Sequence, residues 1–276
     1  MKRIRKKSIL IMIILVIAII GLVSCIKNKL QSNRKIALYD SSIENSQVKA
    51  LEIDEININE MSNRDDNVLI VNKIKNISDF NISDIWIMYN ELDSEGNIIS
   101  ESKMFLDMTL LPEDVFKATF KLKKASESIN IVSYEYVTEE SDVFVNLRDD
   151  TINVRKRNNE VVDSLEYEVL LFSDFEKIKD ANDGDTYIVK IKNNSSKNLG
   201  NITLKIAEIN EKDEYIKINH DTSYSTLKPL EEAEITIKAS KLADKIRLIG
   251  YVYDDVDTKS NLDIDLDSKE AQITKY

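Results

Sequence analysis

Lys73-Ile74-Lys75-Asn76 returns 117 positions later as Lys190-Ile191-Lys192-Asn193. The same offset relates the chain's only two prolines, Pro112 and Pro229, and the pairs Tyr134-Glu135-Tyr136 and Tyr251-Val252-Tyr253. Asn81/Asn198, Ile85/Ile202, Leu110/Leu227 and Ile129/Ile246 keep the register without a gap. Rare residue types held in phase over so long a stretch imply two copies of one domain. Each copy has about 100–110 residues, an ordinary domain size.

The pattern inside each copy has period two. Ile85, Ile87 and Tyr89 alternate with Trp86, Met88 and Asn90, and Ile202, Leu204 and Ile206 take the same places in the second copy. Phe116, Ala118, Phe120 and Leu122 alternate after the first proline, as Ala233, Ile235, Ile237 and Ala239 do after the second. Alternation rich in β-branched and aromatic residues marks half-buried strands. Leu51, Ile53, Ile56 and Ile58 alternate with one slip, which predicts a bulge in the first strand. Asp93-Ser94-Glu95-Gly96-Asn97 reads as a hairpin loop with Gly96 supplying a positive φ. Leu110-Leu111-Pro112-Glu113-Asp114 and Leu227-Lys228-Pro229-Leu230-Glu231 read as equivalent turns. Leu165, Val169 and Phe172 fall at helical spacing, but their counterparts in the first copy alternate, so Val161–Lys177 is expected to be strand. The fold class is all-β: two tandem sandwiches of antiparallel sheets, about seven strands each.

The layout of Ile70–Phe120 carries a resemblance. An Asn-x-Ser bend follows the second strand, an aromatic precedes a D-x-x-G hairpin, and a Leu-x-Pro turn leads into a Phe-rich strand. This resembles the FxLYD-type immunoglobulin-like domains of surface lipoproteins in Gram-positive bacteria. Asn90 and Glu113 stand where that pattern usually has Asp and Gly, and Asp213 replaces the hairpin glycine in the second copy. The resemblance implies an extracytoplasmic binding or spacer module and brings no catalytic residues.

The N-terminus supplies an address. Lys2, Arg3, Arg5, Lys6 and Lys7 precede an uncharged apolar run, Ser8–Ser24, in the layout of a secretory signal peptide. Leu22-Val23-Ser24-Cys25 then resembles the bacterial lipobox, which implies lipidation of the Cys25 thiol and cleavage after Ser24. An uncleaved single-pass anchor with an incidental cysteine is the other reading. Both leave the bulk of the chain outside the cytoplasm, the first lipid-anchored on the extracytoplasmic face of the membrane. The expected boundaries are 1–24 signal peptide, 25–47 lipidated tether, 48–155 first sandwich and 161–276 second. Lys27, Lys29, Arg34 and Lys35 make the tether basic, suited either to an anionic bilayer surface or to solvent. Lys156–Glu160 reads as a short hinge between repeats that bury their own cores and meet through modest, polar contacts.

Composition narrows the function. The five glycines, at 21, 96, 184, 200 and 250, never cluster, so phosphate-cradling loops are absent. One cysteine and one histidine exclude Cys/His zinc clusters, Cys–His dyads and internal disulfides. The net charge of −11 becomes about −16 once the five basic leader residues are removed, which disfavours nucleic acid as a partner. No cofactor is expected, and no metal site. Asp254, Asp255, Asp257, Asp263, Asp265 and Asp267 could offer oxygens to calcium, but period two favours an exposed polar sheet face. His220 reads as a polar surface residue, with Lys103 as its counterpart. Trp86 lies opposite Ile85 and Ile87, so it either packs under a neighbour or stands as an exposed aromatic that binds a protein partner. Two functional classes follow. One is a non-enzymatic, surface-anchored binding or spacer module; the other is an accessory subunit of an envelope or transporter complex docked on a membrane partner.

Overall fold

A computed structural model of the protein describes residues 49–54, 68–123, 125–157, 162–181 and 184–276. Cys25, Leu22, Val23 and Ser24, the tether and most of the hinge lie outside the described residues, as do Ile56 and Ile58 of the expected bulge. In the first repeat the strands are β1 (Leu51–Ile53), β2 (Val68–Asn76), β3 (Ser83–Leu92), β4 (Ile98–Leu106), β5 (Val115–Leu122), β6 (Ser128–Val137), β7 (Ser141–Asn146) and β8 (Thr151–Lys156). In the second they are β9 (Val162–Asp163), β10 (Leu170–Phe172), β11 (Glu176–Ala181), β12 (Gly184–Asn193), β13 (Leu199–Ile209), β14 (Tyr215–Ser223), β15 (Glu232–Lys238), β16 (Lys245–Asp255), β17 (Ser260–Asp265) and β18 (Glu270–Lys275). The chain is all-β. The described residues 162–177 contain no α-helix. They are broken strand, with one 3-10 turn at Ser164–Glu166 that Asp163 caps through Leu165 N.

Each repeat packs a small sheet on a larger one. In the first, β1-β2-β5 faces β4-β3-β6-β7-β8; in the second, β10-β12-β15 with β11 faces β14-β13-β16-β17-β18 with β9 at its edge. Eight strands per repeat correspond, one more than the sequence pattern suggested. The extra strand is the short amphipathic one after the last aromatic pair, β8 or β18, which completes a terminal hairpin. The offset is 117 as far as the Tyr pairs. It becomes 119 beyond them, because the turn and strand end before β17 are together two residues longer than those before β7.

The repeated motifs explain themselves in the core. Asn76 is fully buried, and its Nδ2 donates to the carbonyls of Phe80 and Leu110 at 2.9 Å each, while its Oδ1 accepts from Ser78. Asn193 does the same with Lys197, Leu227 and Ser195. This one side chain stitches the end of a strand to the following bend and to the proline turn. Asn76 is therefore a structural residue. The Tyr134/Tyr136 and Tyr251/Tyr253 rings stack at 6.2 and 6.1 Å between centroids inside each sandwich. Burial pushes the Tyr134 hydroxyl up to about 12.

The repeats are joined edge to edge. β5 meets β14 in parallel at Phe116 and Tyr215, so the small sheet of the first repeat continues into the large sheet of the second. Ala207, Ile209, Tyr215 and Ile249 of the second repeat are buried in the first repeat's core cluster. The contact is thus more apolar than the charged hinge sequence suggested, because Ala207 and Ile209 sit on the sheet face that alternation would assign to solvent and a bulge turns Ile249 to the same side.

Candidate functional site: the outer sheet face and its covered counterpart

The outer face of β4-β3-β6-β7-β8 carries Trp86. A bulge between Ser83 and Trp86, with Asp84 at φ 48°, offsets the start of β3 against β6. Alternation then points Ile85 and Ile87 into the core and Trp86 out. Register places Phe105, Trp86, Glu135, Phe144 and Asn153 side by side across five strands. Trp86 stacks on Phe105 at 4.6 Å and 29°, and Lys103 Nζ sits 4.2 Å above the indole. A shallow hollow of about 670 Å³ adjoins this row, rimmed by Asp84, Asp142 and Arg155. Phe105 is 40% exposed. Trp86 is therefore neither core nor free: it is half-buried in a ladder of aromatic and charged side chains on its own sheet. Such a ladder offers a π surface flanked by both charges, suited to a protein or other partly apolar ligand.

The matching row in the second repeat has changed character. Thr222, Thr203, Val252, Asp263 and Gln272 replace Phe105, Trp86, Glu135, Phe144 and Asn153. The first repeat docks on one end of that face, burying Lys205 and Ala207, while Gln272 at the other end stays exposed. Lys205 Nζ donates to Asp107 and Asp263, both at 2.8 Å, and His220 Nε2 lies 2.8 Å from the other Asp107 oxygen. Thr109 donates to Asp265 at 2.8 Å. Nearby, Glu214 holds Lys73 at 2.7 Å and Lys117 at 3.5 Å, and Arg157 pairs with Glu270 at 2.8 Å.

Electrostatics follow from this packing. Burial would raise the Asp107 carboxyl, but the His220 hydrogen bond and the Lys205 charge outweigh it and hold the group at about 2. Glu214 is likewise held at about 2, where Lys73, Asn210 and Lys117 overcome its desolvation. Burial dominates at Asp263 and raises it despite Lys205. Sequence reasoning missed this cluster. His220 is exposed, as its polar context indicated, but the Asp263/Asp265/Asp267 series is not the exposed face expected: Asp263 and Asp265 face the other repeat and Asp267 is held by Arg247 in a bidentate pair. The signal available was the exchange of Met88 for Lys205 and Phe144 for Asp263 at equivalent positions. Among the described residues, no group of three or more His, Cys, Asp or Glu is placed to hold a metal ion.

A second concavity, a groove of about 880 Å³, runs between the repeats along Tyr136, Thr138, Ser141, Leu165 and Lys269. Its lining pairs no nucleophile with a base.

No family model and no curated protein matches the chain. Solved structures that match include red sea bream transglutaminase, at 8% identity and a TM-score of 0.20, over 82% of this chain and 30% of that one. An exo-β-D-glucosaminidase, CsxA, matches at 12% identity and a TM-score of 0.23, over 78% of this chain and 26% of that one. The exo-chitosanase CsxA of Amycolatopsis orientalis matches at 12% and 0.21, over 83% and 26%. The chain spans less than a third of the length of these enzymes, and scores so low carry no argument about activity.

Proposed function

We propose that the chain is a non-enzymatic surface lipoprotein, held to the extracytoplasmic face of the membrane through Cys25, whose tandem immunoglobulin-like sandwiches of the FxLYD kind form a protein-binding module. The observation that carries this reading is the contrast between two equivalent faces. The second repeat's face is polar and charged, and the first repeat docks on part of it. The first repeat's face keeps Trp86, Phe105 and Phe144 in a row with no described segment packed on it. A spacer needs no such aromatic row, whereas a binding surface does. The leader and Leu22-Val23-Ser24-Cys25 support the anchoring.

A photo-crosslinking amino acid at position 105 of the full chain, activated in intact cells, tests the binding. A discrete heavier adduct is expected from position 105. Its absence under conditions where the chain is abundant would reject the binding reading. Cys25→Ala tests the anchor: loss of fatty-acid labelling, with the chain unprocessed or released, is expected. Unchanged mass and membrane retention would reject lipidation.

A further inference from the structure

The chain contains a worked example of what its open face accepts. In the second repeat, the outer face receives the loop after β4 of the first repeat, through Asp107 and Thr109, while the edge strand β14 receives β5. The loop that corresponds to Asp107–Thr109 in the second repeat is Tyr224-Ser225-Thr226, after β14. There Tyr224 is 84% exposed, with nothing described against it. The second repeat therefore has one unused loop and the first one unused face.

The chemistry of the two matches position by position. Where Asp107 meets Lys205 and His220, Tyr224 of a second copy would meet Met88 and Lys103, so an ion pair is exchanged for an apolar and cation–π contact. Where Thr109 donates to Asp265, the equivalent place on β7 is Asn146, whose Oδ1 already accepts from the Arg148 and Asp149 amides, so there the direction reverses and the Thr226 hydroxyl would accept from Asn146 Nδ2. At the strand edge, Tyr215, buried against the first repeat, corresponds to Ile98, which is 56% exposed on the free edge of β4. Each side of the pairing has changed in the sense that keeps the other satisfied. We infer that the face around Trp86 binds the Tyr224 loop of a second copy of this chain, head to tail, repeating between molecules the contact that the repeats make within one. This deepens the binding reading above by naming the partner. The interface is heterologous, so it propagates along a row of molecules unless the rotation closes a ring.

The test uses the full chain in detergent. Trp86 is its only tryptophan, so emission reports this face alone. Raising the protein concentration should shift the emission to shorter wavelength as larger species appear by sedimentation. Tyr224→Asp should abolish both effects; Tyr224 is exposed and its loss leaves the fold intact, which a circular dichroism melt verifies. Emission independent of concentration, or a shift that survives Tyr224→Asp, would overturn the inference. The adduct at position 105 separates the two readings. A mass of twice the chain supports a second copy, whereas an adduct with a different protein leaves the binding module standing and removes self-association.

Discussion

Asp107 shows how one side chain can tie two folded units together. Its carboxylate bridges Lys205 and His220 across the contact, and its folded value of about 2 lies below the ordinary 3.8. A carboxyl depressed on folding contributes stability in full above about pH 4, and that contribution is lost as pH falls through 2. The difference is worth roughly 2 kcal/mol. Asp107→Asn should therefore melt lower at neutral pH and show a shallower fall in melting temperature between pH 5 and 2 than the parent. Equal slopes in acid titrations of the two proteins would remove Asp107 from that role. Glu214 titrates in the same window and keeps part of the slope in the variant. None of this was legible at Asp107, a lone acid in a loop, because its partners lie in the other repeat, up to 113 positions away.

Among the elements, the bend and proline turn behave as one unit held by a buried amide. Asn76→Ala would leave the Ser78 amide without its acceptor and take one of two donors from the carbonyls of Phe80 and Leu110, which keep Ser78 Oγ and the Ile82 amide. The orphaned amide costs ~1–3 kcal/mol and each further buried hydrogen bond lost ~0.5–1.5 kcal/mol, so the variant should lose at least about 2 kcal/mol in denaturant titration. Asn193→Ala should do the same in the second repeat, and a loss below ~0.5 kcal/mol at either site would show the stitch to be idle. The hairpin turns allow a gentler check. Asp213 stands at φ 61° where the first repeat has Gly96 at φ 82°, and Asn210 Oδ1 accepts from the Lys212 and Glu214 amides as Asp93 does from Glu95 and Asn97. Asp213→Gly relieves the left-handed strain and should stabilise by up to about 1 kcal/mol, read as a small rise in melting temperature. The strands and these turns were readable from alternation and from the recurrence of Asn and Pro. What the recurrence could not convey was its cause, since the Leu110 carbonyl lies 34 positions from Asn76. The terminal hairpins were hidden for a different reason. The two extra residues before β17 break the offset, and β8 and β18 are short and largely exposed.

At the scale of the molecule, the two sandwiches share a boundary that alternation reads as surface. Ala207 and Ile209 follow the outward phase of β13, Ile249 is turned outward by a bulge in β16 between Leu248 and Gly250, and only the presence of the first repeat makes these positions core. The Trp86 row was legible as outward-facing, but not its neighbours, since Phe105, Glu135 and Phe144 come together only through strand register. The arrangement makes a claim about cooperativity: a second repeat stripped of the first would expose those apolar residues together with Lys205 and Glu214. Trp86 fluorescence reports the first repeat alone, while far-ultraviolet circular dichroism reports both. Thermal unfolding followed by the two probes therefore tests the docked interface most directly. Coincident transitions are predicted for the chain, separating when Asp107→Lys sets a like charge against Lys205. Two resolved transitions in the unaltered chain, with Trp86 indifferent to the unfolding of the second repeat, would contradict the account.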